Sequence, residues 1–139
     1  MGETVGERNI AEGKIPVLSC EGACIRGEIA RMAAHMVAKE EGFARACHGE
    51  LLSVPESAMG RWAQEAEKVV LIDGCFLRCH GRLLENLIDG GRLVEFDALS
   101  IYQDYTDVFE IDAVPEEARK QAARQVADSV LAALRSKEA

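Results

Sequence analysis

Short apolar runs that alternate with helical patterns constrain the fold of this chain more than any other feature. Residues 69–72 are apolar at four consecutive positions, as expected for a strand that is covered on both faces. Shorter candidate strands lie at 15–19 and 93–96, and a weaker one lies at 43–46. The alternation predicts an α/β fold of three layers, Rossmann-like or flavodoxin-like, with a parallel sheet of about four strands and helices on both faces.

Helical patterns fill the segments between and after these strands. The clearest early helix is predicted from about residue 24 to residue 41, ahead of Gly42. Ser53 and Glu56 have the spacing of a capping box, which predicts that a second helix opens there and runs to about residue 67. Two more helices are predicted. One is leucine-rich and lies around 83–88, and the other is C-terminal, covers 115–137 and has Pro115 in its first turn. The buried side of the leucine-rich helix is predicted to carry Leu83, Leu84, Leu87 and Ile88.

A chain of 139 residues is large enough to bury one substantial core, so we expect a single domain over residues 1–139. Residues 1–13 are expected to form a polar leader. Residues 97–114 mix aromatic residues with aspartates without clean periodicity, and they are expected to form a loop and at most one edge strand.

The charge of the chain limits its partners. A net charge of -8 would repel a phosphate backbone, so no nucleic-acid partner is expected. The first 13 residues lack the apolar stretch of a signal peptide, and no later segment approaches the length of a membrane span. We therefore expect a cytoplasmic protein without a membrane partner, while the sequence leaves a homodimer or another protein partner open.

Five cysteines lie at corresponding places in this pattern. In a reduced cytoplasm, and with an odd count, they are better interpreted as metal ligands, reactive thiols or core residues than as disulfides. Cys20, Cys47 and Cys75 follow the first three strands, and Cys24 and Cys79 begin the helices after the first and third strands. Because ligands bind beyond the carboxyl ends of parallel strands, the thiols are expected at one edge of the sheet.

Thiolates from neighbouring loops suit a tetrahedral zinc ion, and the same ligands suit an iron–sulfur cluster. The spacing Cys-x3-Cys occurs twice, at Cys20 and Cys24 and again at Cys75 and Cys79. The alternative is that cysteine, a residue often buried, fills space near the strand ends. The repeated spacing favours a metal ion, with zinc as the leading candidate.

The polar residues beside the cysteines give weaker evidence of metal binding. His48 and His80 directly follow Cys47 and Cys79, and either can replace a cysteine as a ligand. Adjacent side chains usually point in different directions, so we expect both histidines to surround the site or to face solvent. Asp73 can orient a ligand or cap the next helix, and capping is the favoured role.

The cysteine pattern resembles that of the DGC domain family, zinc-binding proteins named for an Asp-Gly-Cys motif. Ile72-Asp73-Gly74-Cys75 followed by Cys79 is similar to the family signature, Cys20-Glu21-Gly22 to its first cysteine loop, and Cys47 to the cysteine after its second strand. The resemblance implies four metal-ligand cysteines and no established activity. The implied ligands are Cys20, Cys47, Cys75 and Cys79, with Cys24 as a fifth candidate or substitute.

An enzyme is the rival hypothesis. Cys20 and Arg26 are spaced as in low-molecular-weight tyrosine phosphatases and related arsenate reductases, where the cysteine attacks as a thiolate and the arginine clamps an oxyanion. However, Gly27 replaces the expected Ser or Thr, and no Asp-Pro pair is present to supply a general acid. The sequence therefore favours a metal-binding protein over this enzyme.

Overall fold

A four-stranded parallel sheet forms the centre of the molecule, in a computed structural model that describes residues 2–103 and 110–138. The strand order is β2-β1-β3-β4, and every neighbouring pair is parallel. The predicted α/β fold with a Rossmann-like or flavodoxin-like sheet is therefore confirmed. The strands are β1 (Ile15–Ser19), β2 (Phe43–Arg45), β3 (Val69–Asp73) and β4 (Leu93–Asp97).

Seven α-helices and a short 3₁₀ helix surround the sheet in the described ranges. The longest helices are α2 and α7, and they pack on each other. The helices are α1 (Gly2–Glu12), α2 (Ile25–Ala38), α3 (His48–Ser53), α4 (Ala58–Glu65), α5 (Cys79–Leu84), α6 (Ala98–Tyr102) and α7 (Glu116–Glu138), with the 3₁₀ helix at Ile111–Ala113.

Alternate residues of β3 point to opposite faces of the sheet, as the pleat requires. Val70 and Ile72 join one apolar cluster with residues of α2 and α7, and Val69 and Leu71 join a second cluster with residues of α3, α4 and α5. All five residues of β3 are buried. The four-residue apolar run thus marks a strand covered on both faces, as predicted.

The first residues are not a simple polar leader. Residues Gly2–Glu12 form α1, which packs on α4. Gly6 allows this contact, because a Cβ atom there would lie 2.5 Å from the backbone carbon of Ala58. Only a residue without a side chain fits such a close crossing of two backbones.

Two further expectations, both about helices, need correction. Ser53 ends α3 and donates to the Gly49 carbonyl, while Ser57 caps α4 by accepting from the Gly60 amide, so the predicted capping box was placed four residues early. Leu83, predicted to be buried, is 50% exposed, whereas Leu84 and Ile88 of the same predicted face are buried and Leu87 is partly buried.

The segment 97–114 also differs from the expected loop and edge strand. Its described residues form α6 and the 3₁₀ helix, and they contain no strand. The rest of the segment, residues 104–109, lies outside the described residues.

No helix in the described ranges is long and apolar enough to cross a membrane.

Candidate metal centre

The carboxyl ends of β1 and β3 meet at the point where the strand order reverses. After β1 the chain crosses to β2 on one side, and it later enters β3 on the other side. Such a switch point opens a crevice beyond the strand ends, where α/β proteins bind their ligands. Cys20 follows β1 directly, and Asp73 is the last residue of β3. Both residues therefore face the place where a ligand is expected.

Three different ligand types converge there. The Sγ atom of Cys20, a carboxylate oxygen of Asp73 and a ring nitrogen of His80 all lie within 4.8 Å of one another. Within residues 2–103 and 110–138, no other group of three or more His, Cys, Asp or Glu residues meets this condition. Asp73 is buried, whereas Cys20 and His80 are half-buried. The group can hold a metal ion.

Asp73 connects the end of β3 to the start of α5. Its Oδ1 accepts a hydrogen bond from the amide of His80 at 3.3 Å, and its Oδ2 accepts one from the amide of Gly81 at 3.2 Å. The predicted capping role is therefore confirmed. Burial raises the pKa of Asp73, and these two amides partly oppose the rise. A nearby cation would compensate the cost of keeping this carboxylate charged.

Cys20 lies in the loop between β1 and α2. Its Sγ accepts a hydrogen bond from the amide of Gly22 at 3.3 Å. Burial raises the pKa of the thiol, and the amides of Gly22 and Gly74 act in the opposite direction. The thiol is thus protonated at neutral pH unless a cation lowers its pKa, as metal coordination does.

His80 is positioned by the residue that precedes α5. Arg78 has a left-handed backbone, with a φ of 52°, and its guanidinium binds both carboxylate oxygens of Glu95 on β4 at 2.6 and 2.7 Å. A third bond joins Arg78 to Glu85 at 2.7 Å. This bidentate pair fixes the turn that presents His80 to the end of β3. The Nδ1 atom of His80 is buried, and no described residue forms a hydrogen bond with it.

His48 lies beside His80. The centroids of the two rings are 4.4 Å apart, and His48 is only 8% exposed. Burial lowers the pKa of His48 to about 4, and the neighbouring His80 contributes to the shift. His48 is therefore a neutral imidazole at neutral pH, which is the form that binds metals.

A sequence model of the DGC domain matches residues 16–126, most of the chain. This chain belongs to the DGC domain family. The comparisons with curated proteins and with solved structures found no significant match. The matched residues include all five cysteines, and they also include Asp73 and His80 of the convergent group.

The five cysteines of this DGC domain are free thiols, and the structure distributes them along the same edge. Cys24 precedes α2 and lies near enough to Cys20 to influence its pKa. Cys47 precedes α3 and Cys79 begins α5, and both are exposed, while Cys75 is half-buried. Among the described residues, no three cysteines lie within 4.8 Å of one another. The four-cysteine ligand set therefore stays a prediction.

The DGC domain places Asp73 and His80 beside Cys20, two residues that the sequence did not identify as leading ligand candidates. Asp73 is the first residue of the Asp-Gly-Cys motif, so the motif itself could have identified it as a ligand candidate. His80 was considered as a replacement for a cysteine ligand, but it was expected to surround the site or to face solvent. His80 faces the site because of the left-handed turn at Arg78. Sequence spacing over a few residues does not reveal this turn.

The phosphatase-like hypothesis receives no electrostatic support. Such an enzyme needs a cysteine with a lowered pKa, whereas burial raises the pKa of Cys20. Arg26 does lie in the first turn of α2, as that hypothesis requires.

A separate cavity of about 600 Å³ lies at the opposite ends of the strands, and none of the predicted site residues lines it.

Proposed function

We propose that this DGC domain binds one zinc ion through Cys20, Asp73 and His80. The observation that carries the proposal is the convergence of their three ligand atoms within 4.8 Å at the switch point of the sheet. Ligand atoms bound to one tetrahedral zinc ion lie roughly 3.4 to 3.6 Å apart, given zinc–sulfur and zinc–nitrogen bonds of about 2.3 and 2.0–2.1 Å. Small side-chain rotations are enough to reach these separations.

The chemistry of the three ligands supports zinc over other ions. Magnesium and calcium prefer oxygen ligands alone, whereas zinc accepts sulfur, nitrogen and oxygen together. A four-thiolate iron–sulfur cluster needs four cysteines, and the convergent group contains one. Zinc would also compensate the buried Asp73 carboxylate and keep Cys20 as a thiolate.

The position of the site supports an exchangeable ion, used in metal sensing or delivery. Each apolar cluster covers one face of the sheet, and of the three proposed ligands only Cys20 packs against one of them. Cys20 and His80 are half-buried, so solvent reaches part of the site. A fold with its own core does not depend on the ion, unlike a zinc finger, whose metal supplies the folding energy.

Native mass spectrometry of protein purified without chelator tests the proposal. We expect one zinc ion per wild-type chain, and we expect Cys20→Ser and His80→Ala each to lose it. His35→Ala is the matched control, because His35 is an exposed histidine of α2 outside the convergent group. This control should retain the ion.

The cysteine variants separate the two ligand sets. If Cys47→Ser, Cys75→Ser and Cys79→Ser lose zinc while His80→Ala keeps it, the ligands are the four cysteines and the mixed site is wrong. If the wild-type chain carries no metal and gains none on titration with zinc, both ligand sets are wrong. Visible absorption of the purified protein would indicate iron–sulfur ligation instead.

A further inference from the structure

A buried imidazole nitrogen without a partner lies next to the convergent group. His48 is more than nine-tenths buried, and its Nε2 atom forms no hydrogen bond with any residue that the structure describes. The Nδ1 atom of the half-buried His80 is also buried and forms no hydrogen bond with a described residue. Buried polar side-chain atoms in proteins are nearly always hydrogen-bonded or bound to an ion. Two such nitrogens in adjacent rings point to one ligand that both histidines can bind.

The other nitrogen of His48 faces a carboxylate. Its Nδ1 lies 3.9 Å from Oε1 of Glu21, and that oxygen accepts hydrogen bonds from Arg45 at 3.2 Å and Ser19 at 3.3 Å. A carboxylate on this side favours a proton on Nδ1, which leaves the lone pair on Nε2. Histidines that bind metals are commonly oriented by a carboxylate in this way.

The two rings are close enough to share an ion. Their centroids are 4.4 Å apart and their planes are inclined at 43°. Two nitrogen ligands of a tetrahedral zinc ion lie roughly 3.4 Å apart. His48 is not part of the group within 4.8 Å, so its ring must rotate toward Cys20 and Asp73 when the ion binds.

From this arrangement we infer that His48 Nε2 is the fourth protein ligand of the metal ion, oriented by Glu21. The inference rests on the proposed function, because it assigns His48 to the same ion as Cys20, Asp73 and His80. It differs from the four-cysteine set, since His48 takes the place that the exposed Cys47 would fill. The complete set is one thiolate, one carboxylate and two imidazoles, which suits zinc.

Zinc K-edge X-ray absorption of the zinc-loaded protein tests this inference, because imidazole ligands have a characteristic scattering signature. We expect two imidazoles per zinc ion in the wild type and one in His48→Asn. Asparagine retains a polar group near Glu21 while removing Nε2. Competition with a chromophoric chelator should show that this variant binds zinc at least about tenfold more weakly. Loss of a residue that only orients a metal ligand already costs about ten- to a hundredfold in affinity.

His35→Asn is the matched control, and it should change neither the imidazole count nor the affinity. A wild-type spectrum with one imidazole overturns the assignment of His48, even if the His48→Asn protein does not fold. Retention of full affinity and two imidazoles by His48→Asn also overturns it. By contrast, undiminished zinc binding by Cys20→Ser and His80→Ala would contradict the proposed function itself, so the two failures are distinguishable.

Discussion

Gly81 and Gly49 each follow a histidine near the candidate metal centre, but their surroundings differ. A Cβ atom at Gly81 would lie 2.8 Å from Oε2 of Glu95 and 3.0 Å from Oδ2 of Asp73. At Gly49 the nearest atom would be the Cys47 sulfur, at an ordinary contact distance of 3.8 Å. The residue after His80 is therefore enclosed by the groups that position the site, while the residue after His48 is exposed.

We predict that Gly81→Ala weakens zinc binding about tenfold, the lower end of the range for disturbed metal-site partners. The added methyl group displaces the Asp73 carboxylate and weakens its bond to the Gly81 amide. Since the contacting atoms are the ends of side chains that can shift, the free energy of unfolding should fall by only about 1 kcal/mol. Chelator competition and urea unfolding measure the two effects.

Gly49→Ala is the control, because it adds the same methyl group after the other histidine. Its zinc affinity should match that of the wild type, and replacing glycine in a helix should raise stability by up to about 1 kcal/mol. Equal zinc affinity in both variants would contradict the role assigned to the packing around Gly81.

Sequence reasoning at this scale identified positions better than side-chain directions. Cys20 was found because it follows a strongly apolar strand, and Asp73 was correctly assigned as a cap. His80 was underrated, since its inward direction depends on the left-handed Arg78 and on the distant Glu95. Contacts between residues far apart in the chain decide such directions, and periodicity contains no information about them.

At the scale of whole elements, α1 shows how a polar segment becomes part of the fold. A carboxylate oxygen of Glu3 accepts a hydrogen bond from the amide of Ala58, the first residue of α4, at 3.0 Å. Gly6 lets the two helices approach until their backbones touch. Helix α1 contributes no residue to the convergent group at the metal centre.

We predict that Gly6→Ala lowers the free energy of unfolding by about 2 kcal/mol, because the new methyl group meets backbone atoms that cannot rotate away. Zinc affinity should stay within twofold of the wild type, as α1 and α4 supply no ligand to the site. Urea unfolding and chelator competition provide the measurements. Glu7→Ala, an exposed change on the same helix, should leave stability within about 0.5 kcal/mol.

Strands with clear apolar runs were predicted well. Helices whose position depends on packing against a segment distant in the sequence were not. The four strands follow their apolar runs closely, whereas α1 owes its position to a crossing with α4 that lies some 50 residues ahead in the sequence. The start of α4 was misplaced because Ser53 and Glu56 have the spacing of a capping box, whereas Ser57 caps the helix. The hydrogen bond from the Gly60 amide to the Ser57 hydroxyl identifies the true cap, and sequence spacing does not reveal it.

The whole molecule combines an apolar core on both faces of the sheet with a candidate metal centre at one edge. Central strands β1 and β3 bury side chains on both faces, against α2 and α7 on one side and α3, α4 and α5 on the other. Their carboxyl ends then deliver Cys20 and Asp73 to the crevice. The sheet thus places both residues at the candidate site, and under the proposed function binding of the ion requires only local rotation of side chains.

This separation of core and site predicts that the chain stays folded without metal. In excess chelator, far-ultraviolet circular dichroism should be unchanged and urea unfolding should remain cooperative, because the apolar clusters persist. Free zinc at a hundred times its dissociation constant should then raise the free energy of unfolding by about 2.7 kcal/mol, the amount that mass action gives for one site in the folded state. Cys20→Ser should fold equally well and lose this zinc-dependent increase. A chelated wild-type chain without cooperative unfolding would mean that the ion organises the core, as in zinc fingers, and would contradict an exchangeable site.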